Sequence, residues 1–271
     1  MTARGRHLFF VPWRDHTLIG TTDKDHEGNP DEYRVSRQSI MELVSDVNEV
    51  FAKGDLSHDD ILLAYGGLRP LVEEQVQGTY QSSRKYEIYD NEQDGLPGLF
   101  TVEGGKYTTS RNLAAAVLER VGKKLGRRLP RPLTARQHLH GCNIPDLKAF
   151  LDEAQQRYRG RFAERTIDYL ARHHGTEYPE VLRLAEQEPA LAEPLTGDGE
   201  ILAEVVWSVQ HELAFHLDDV LFRRTGLGTL LHPGSEVLRR AGERVATLLG
   251  WDGAQLEAEL ARTERQLRLP E

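Results

Sequence analysis

Gly104–Gly105–Lys106–Tyr107–Thr108–Thr109–Ser110–Arg111 stands between two stretches of opposite character. Before it, Leu99–Phe100–Thr101–Val102–Glu103 is short, apolar and β-branched, and reads as a buried strand. After it, Asn112–Leu113–Ala114–Ala115–Ala116–Val117–Leu118–Glu119 is built of helix formers. Two glycines therefore fall at a strand-to-helix turn, where φ > 0 and a close approach of ligand to backbone are both permitted. The helix start offers unpaired N–H groups and a partial positive charge. Lys106 adds a full charge, and Thr108, Thr109 and Ser110 add hydroxyls. Such a turn can hold an anion or the electron-rich edge of a cofactor, although an ordinary capped turn with a surface lysine has the same letters.

Working outward, Leu8–Val11 and Thr17–Gly20 flank Trp13–Arg14–Asp15–His16, a hairpin with a four- or five-residue loop. Gly28–Asn29–Pro30 marks a loop. Ile40, Leu43, Val44, Val47 and Phe51 recur at helical spacing over Ser36–Phe51, with Ser39 and Glu42 as the capping pair. Ile61–Tyr65, ending at Gly66–Gly67, and Tyr80–Tyr89 read as further strands, and Gln93–Gly98 as a turn. Beyond the basic, proline-bearing Gly126–Pro132, the pattern is helical over Pro145–Tyr158, Phe162–His173, Tyr178–Gln187, Gly199–Arg224, Ser235–Leu249 and Gly253–Leu267. The expected class is α+β: an antiparallel sheet segment closing in a strand-turn-helix over residues 1–130, then an all-α part over 131–271.

The 271 residues carry a formal charge of −9, which argues against a nucleic-acid binder. No run of 18 apolar residues is present, and the single cysteine, Cys142, excludes an internal disulfide and reads as a buried or inert thiol in a reducing cytoplasm. His211–Glu212–Leu213–Ala214–Phe215–His216 imitates a zinc motif, but its histidines are five apart rather than four, so no metal is expected there. His173–His174 and Asp90–Asn91–Glu92 read as solvated polar positions. Asp218, Asp219, Arg223 and Arg224 read as a surface ion-pair set or as contacts to the other domain. Lys123, Lys124, Arg127, Arg128 and Arg131 read as a solvated linker or a contact to anionic lipid headgroups. Arg69, in Gly67–Leu68–Arg69–Pro70, could grip a phosphate through its fork of donors or pair with a surface carboxylate.

Four motifs in order carry a resemblance: Arg6–His7–Leu8–Phe9–Phe10–Val11–Pro12–Trp13 leading into Thr17–Leu18–Ile19–Gly20–Thr21–Thr22–Asp23; Gly66–Gly67–Leu68–Arg69–Pro70–Leu71; Gly-Gly-Lys-Tyr-Thr-Thr; and Ala203–Trp207 to Asp219–Thr225. Together they resemble the FAD-dependent glycerol-3-phosphate dehydrogenases over nearly the whole chain. The resemblance implies oxidation of sn-glycerol 3-phosphate to dihydroxyacetone phosphate with FAD, electrons passing to quinone, in the cytoplasm at the inner face of the membrane. It places Arg69 and Lys106 at the substrate phosphate, Gly104, Gly105, Lys106, Tyr107 and Thr108 near the flavin ring, and Thr108 also at the substrate. The proton acceptor, and the choice between dehydrogenase and oxidase, stay open. The family's Gly-x-Gly-x-x-Gly fingerprint follows no strand in these 271 residues. The chain alone is therefore not expected to retain FAD, and an FAD-binding N-terminal half in trans is the expected partner. The alternative is a non-catalytic binding or assembly module, a truncated remnant or a subunit of a split enzyme.

Overall fold

The computed structural model describes residues 7–51, 54–68, 86–104 and 106–270. It has the expected α+β composition: small antiparallel sheets first, helices afterwards.

β1 (Phe9–Trp13) and β2 (His16–Gly20) form a hairpin with Phe9 opposite Gly20 and Trp13 opposite His16. The strands run further than the sequence suggests, and the turn is only Arg14–Asp15. Arg14 takes the left-handed conformation (φ 56°) that a two-residue hairpin turn demands. α1 (Arg37–Val50) is capped by Ser36, whose hydroxyl accepts from Ser39 N at 3.1 Å, so the cap lies one turn before the pair expected at Ser39 and Glu42. Its buried stripe is Ile40, Val44 and Val47. Ile61–Tyr65 is not a strand: no described segment pairs with it in a ladder. β3 (Tyr86–Asp90) and β4 (Phe100–Gly104) form a second, separate hairpin, so the described strands make two two-stranded sheets rather than one. Residues 80–85 of the strand expected there lie outside the described residues. β4 is only half-buried, contrary to expectation, with Leu99 and Val102 exposed. α2 (Ser110–Lys124) lies against this hairpin, Arg120 donating to the Ile88 carbonyl and Lys124 to Asp90 at 2.5 Å.

The helical part follows the sequence closely. α3 (Leu147–Tyr158), α4 (Glu164–His174) and α5 (Tyr178–Gln187) pack Leu151, Ile167, Leu170, Val181 and Leu182 around Trp207. α6 (Leu202–His211) turns Val206 to that core and Val205 to a second one, shared with α8 (Ser235–Leu249) and α9 (Gly253–Leu267). The long helix expected over Gly199–Arg224 is broken. Leu213 adopts φ 57°, and Ala214 N reaches back to Ser208 O at 3.0 Å, closing α6. The chain resumes as α7 (Leu217–Asp219) and a π-helical turn, Val220–Arg224.

Burial divides unevenly along the chain. Among the described residues before α3, the buried apolar side chains are Ile40, Val44, Val47 and Ile88. Phe9, Phe10, Val11, Trp13, Phe51, Leu62, Tyr65, Leu68, Leu96 and Leu99 in the same segment are exposed. The helical part holds the remaining buried apolar side chains. No helix among the described residues is long and apolar enough to cross a membrane.

Candidate functional site

Lys106–Tyr107–Thr108, in the turn after β4, is an open surface. Gly104 ends β4 at φ 71°, a conformation that any side chain would strain. Tyr107–Thr109 then makes a single 3-10 turn before α2 begins at Ser110. Thr109 is spent on the turn itself: its Oγ1 accepts from Lys106 N at 3.3 Å and donates to Lys106 O at 3.0 Å. Ser110 Oγ donates to Tyr107 O at 2.8 Å. Two of the three hydroxyls thus hold the loop's shape, while Lys106, Tyr107 and Thr108 are exposed, Tyr107 completely. Lys106 and Thr108 are thus both accessible. Gly105 and Arg69 lie outside the described residues.

The basic stretch is partly engaged. Lys124 pairs with Asp90 at 2.5 Å and Glu92 at 2.9 Å, and Lys123 with Glu119 at 2.9 Å. Asp90 and Glu92 are therefore ion-pair partners rather than merely solvated. Arg127, Arg128 and Arg131 are exposed. Cys142 is exposed too, so of the buried or inert thiol expected there the buried alternative does not hold.

A second polar cluster lies where the hairpin turn meets the helical part. Arg14 Nη1 donates to Gly226 O at 3.2 Å, its Nη2 bonds the buried Glu200, and its guanidinium sits 5.2 Å from the centre of the Tyr169 ring. Arg165 pairs with both Asp15 and Asp198 at 2.6 Å. Gly226 stands at the centre: a Cβ there would fall 2.8 Å from Arg14 Nη1 and Glu200 Oε1 and 2.9 Å from the Tyr169 hydroxyl. The loop Leu195–Glu200 and Gly226–Pro233 line a cleft of about 270 Å³ beside Arg14.

Deeper in, His174 Nε2 lies 3.0 Å from Glu204 Oε1, both residues buried. Burial pushes the Glu204 carboxyl up to about 8 and the His174 imidazole down to about 4, in each case favouring the uncharged form. His174 is not a solvated position, as His173 is. Two signals mark it in the sequence: it continues the Ile167, Leu170, Ala171 stripe at helical spacing, and Glu204 interrupts the wholly apolar Ala203–Val205–Val206–Trp207.

His211 and His216 fall on opposite sides of the break at Leu213, and each is engaged elsewhere. His211 stacks on Trp207 with ring centres 4.0 Å apart, and His216 Nδ1 lies 3.0 Å from Glu259. Of the expected ion-pair set, Asp218, Asp219 and Arg223 do pair, joined by Arg262 and with Asp218 buried, whereas Arg224 instead donates to the Glu212 carbonyl at 2.7 Å.

Residues 1–120 match the family described as FAD dependent oxidoreductase, and residues 132–256 the C-terminal domain of alpha-glycerophosphate oxidase. The glycerol-3-phosphate dehydrogenase of Synechocystis is 29% identical over 259 residues, covering 95% of this chain and 46% of the relative. Glycerol-3-phosphate dehydrogenase 2 of Mycobacterium tuberculosis is 30% identical over 260 residues, covering 94% and 43%. The chain belongs to the FAD-dependent glycerol-3-phosphate dehydrogenase family. The crystal structure of the Bacillus halodurans glycerol-3-phosphate dehydrogenase complexed with FAD superimposes with a TM-score of 0.81 at 25% identity, over 98% of this chain and 52% of that one. The chain thus spans a little under half the length of these curated family members.

Proposed function

We propose that this chain supplies the substrate-facing and C-terminal helical portions, divided near residue 130, of a flavoenzyme that oxidises sn-glycerol 3-phosphate to dihydroxyacetone phosphate. The observation that carries the reading is the open surface at Lys106–Thr108, set in a segment whose apolar faces are uncovered. Exposed apolar surface of that extent marks a face meant for other protein. A dinucleotide-binding half, in the same polypeptide or in trans, is the partner of matching chemistry.

This surface fits the edge of a flavin. Gly104, which leads into it, presents bare backbone, and Thr109 and Ser110 hold the loop from behind without occupying its outer face. FAD, when bound, supplies the acceptor for the hydride leaving the substrate carbon. On the proposed reading, Lys106 places its ammonium at the substrate phosphate beside Arg69, which adds a bidentate contact. Thr108 orients the substrate from the same turn, and the α2 end of the turn favours negative charge arriving there. Onward transfer to quinone, with Arg127, Arg128 and Arg131 against anionic headgroups, completes the proposal.

The second reading, a binding or assembly module without catalysis of its own, is favoured by the missing glycine fingerprint. One experiment separates the two: a flavin absorbance spectrum and a dye-reduction assay on the chain alone and mixed with a separately expressed FAD-binding half. The proposal expects no retained flavin from the chain alone, and flavin with glycerol 3-phosphate oxidation from the mixture. Flavin retention and turnover by the chain alone refute the need for a partner half, and a mixture that stays colourless leaves the module reading.

A further inference from the structure

The buried pair at the junction of α4 and α6 has a third member. One nitrogen of His173, one of His174 and one oxygen of Glu204 all lie within 4.8 Å of one another. Each imidazole also has a second polar group near it. His173 Nε2 lies 2.9 Å from the Arg224 carbonyl. A carbonyl only accepts, so Nε2 carries the proton and Nδ1 carries the lone pair. His174 presents Nε2 to Glu204 and Nδ1 towards Glu212 Oε1, 3.9 Å away. The other oxygen of Glu212 is buried without a hydrogen-bond partner among the described residues.

A buried His–Glu pair is satisfied by its own hydrogen bond and needs nothing further. That explanation leaves two features over: an exposed histidine fixed in orientation beside the pair, and a buried carboxylate oxygen on the outer side of His174. Both features are what a metal site requires. A ligating histidine gives its other N–H to a carbonyl or a carboxylate, which fixes the tautomer and the ring. Two imidazoles and one carboxylate are the donors that zinc accepts, with a fourth position left to water.

We infer that His173, His174 and Glu204 form a binding site for one zinc-class divalent cation, bridging the end of α4 to α6. Glu212 and the Arg224 carbonyl are its outer partners. His173, exposed, gives the ion a way in, and the two buried ligands hold it once there. The role is structural. Tyr169 stacks on His173 at 5.4 Å and accepts from Gly226 N at 2.8 Å, so an ion here stiffens the helices that receive Arg14.

The test uses the untagged chain, stripped by a chelator and titrated with Zn(II) and Co(II). The chain has eleven histidines, nine of them outside this site, so uptake alone decides nothing. The expected result is one equivalent bound, a Co(II) visible spectrum of tetrahedral intensity, and a Tm rise of roughly 5–10 °C at zinc a hundredfold above Kd. His173→Ala, an exposed position, should stay folded without metal, though without its Arg224 and Tyr169 contacts, and should lose at least tenfold in affinity. Glu204→Gln, which preserves shape, should lose uptake as well. No stoichiometric uptake, or uptake undiminished in His173→Ala, overturns the inference.

Discussion

Arg14 and Glu200 are 186 residues apart, and the guanidinium of one lies directly against the buried carboxylate of the other. The contact joins the tip of the first hairpin to the loop before α6. Glu200 has one further side-chain partner, the Thr196 hydroxyl. Only 1% of its side chain is exposed, so its charge depends on Arg14.

Replacing Arg14 with Ala should therefore do more than remove a surface contact. It leaves a buried carboxylate without its counter-charge, which costs on the order of 3 kcal/mol. Urea unfolding should show that loss, and Arg14→Lys should recover only part, because a single ammonium cannot reach Glu200 and the Gly226 carbonyl as the fork does. A loss below about 0.5 kcal/mol would mean the pair contributes nothing measurable.

Gly226→Ala should imitate that variant without touching a charge. The added methyl group would meet Arg14, Glu200 and Tyr169 at under 3 Å, and all three cannot yield without breaking the latch. A destabilisation of about 2–3 kcal/mol is expected, comparable to other overpacked sites. Because both changes undo the same contact, the double variant with Arg14→Ala should cost less than the sum of the two. Full additivity by chemical denaturation would separate Gly226 from the latch.

Asp218 predicts an acid dependence of known sign. Burial raises its pKa, but the Arg223 hydrogen bond and the Arg262 charge outweigh that and hold the carboxyl below its ordinary range. A lowered folded-state pKa gives stability that is present above the unfolded value, near pH 4, and is lost as pH falls further. Asp218→Asn should cost about 1–2 kcal/mol at pH 7, discounted for partial exposure, and should lack this part of the acid transition. Parallel stability curves for the two proteins between pH 5 and 2 would contradict the assignment.

The helical part was legible because its signals are local. Asp252 after Gly250, and the apolar spacing through Leu238, Ala241 and Val245, place α8 and α9 to the residue. The break at Leu213 was not legible, since a leucine in the left-handed conformation leaves no mark in composition. The Arg14–Glu200 latch was hidden for another reason: nothing within either segment refers to the other. His174 and Glu204 were legible only in combination, as polar residues on apolar stripes. The strand expected at Ile61–Tyr65 failed because strands depend on neighbours that periodicity does not supply. For the surface at Lys106–Thr108, sequence located the turn and structure showed which hydroxyls are spent on it.

Hydrogen exchange should reproduce the uneven burial. Amides of α4, α5, α6 and α8 belong to helices that build the two packed cores, whereas β1–β4 have one or no buried residue per strand. Protection in the helices should approach the global unfolding limit, and the two hairpins should exchange by local opening, orders of magnitude faster. Equal, strong protection in both parts would show that the exposed apolar faces are covered by some other arrangement of this chain.

The last prediction concerns the proposed phosphate grip, and it needs the reconstituted flavin-bearing pair, because the Lys106–Thr108 surface is one wall of the proposed site. Lys106 is exposed, so truncating it removes a charge from that surface without disturbing a core. Lys106→Ala and Arg69→Ala should each lose a charge-assisted contact, about 1.5–3 kcal/mol, which is roughly ten- to over a hundredfold in kcat/KM for glycerol 3-phosphate. Arg69→Lys should stay well short of wild type, since an ammonium cannot make the paired contact of a guanidinium. Thr109→Ala is the informative control. Its hydroxyl holds Lys106 by two backbone hydrogen bonds rather than facing outward, so its loss should act through the shape of the turn. It should lower flavin retention and kcat/KM together, whereas Lys106→Ala should leave flavin content unchanged. Unaltered kinetics in both alanine variants at Lys106 and Arg69 would move the phosphate to another part of the protein.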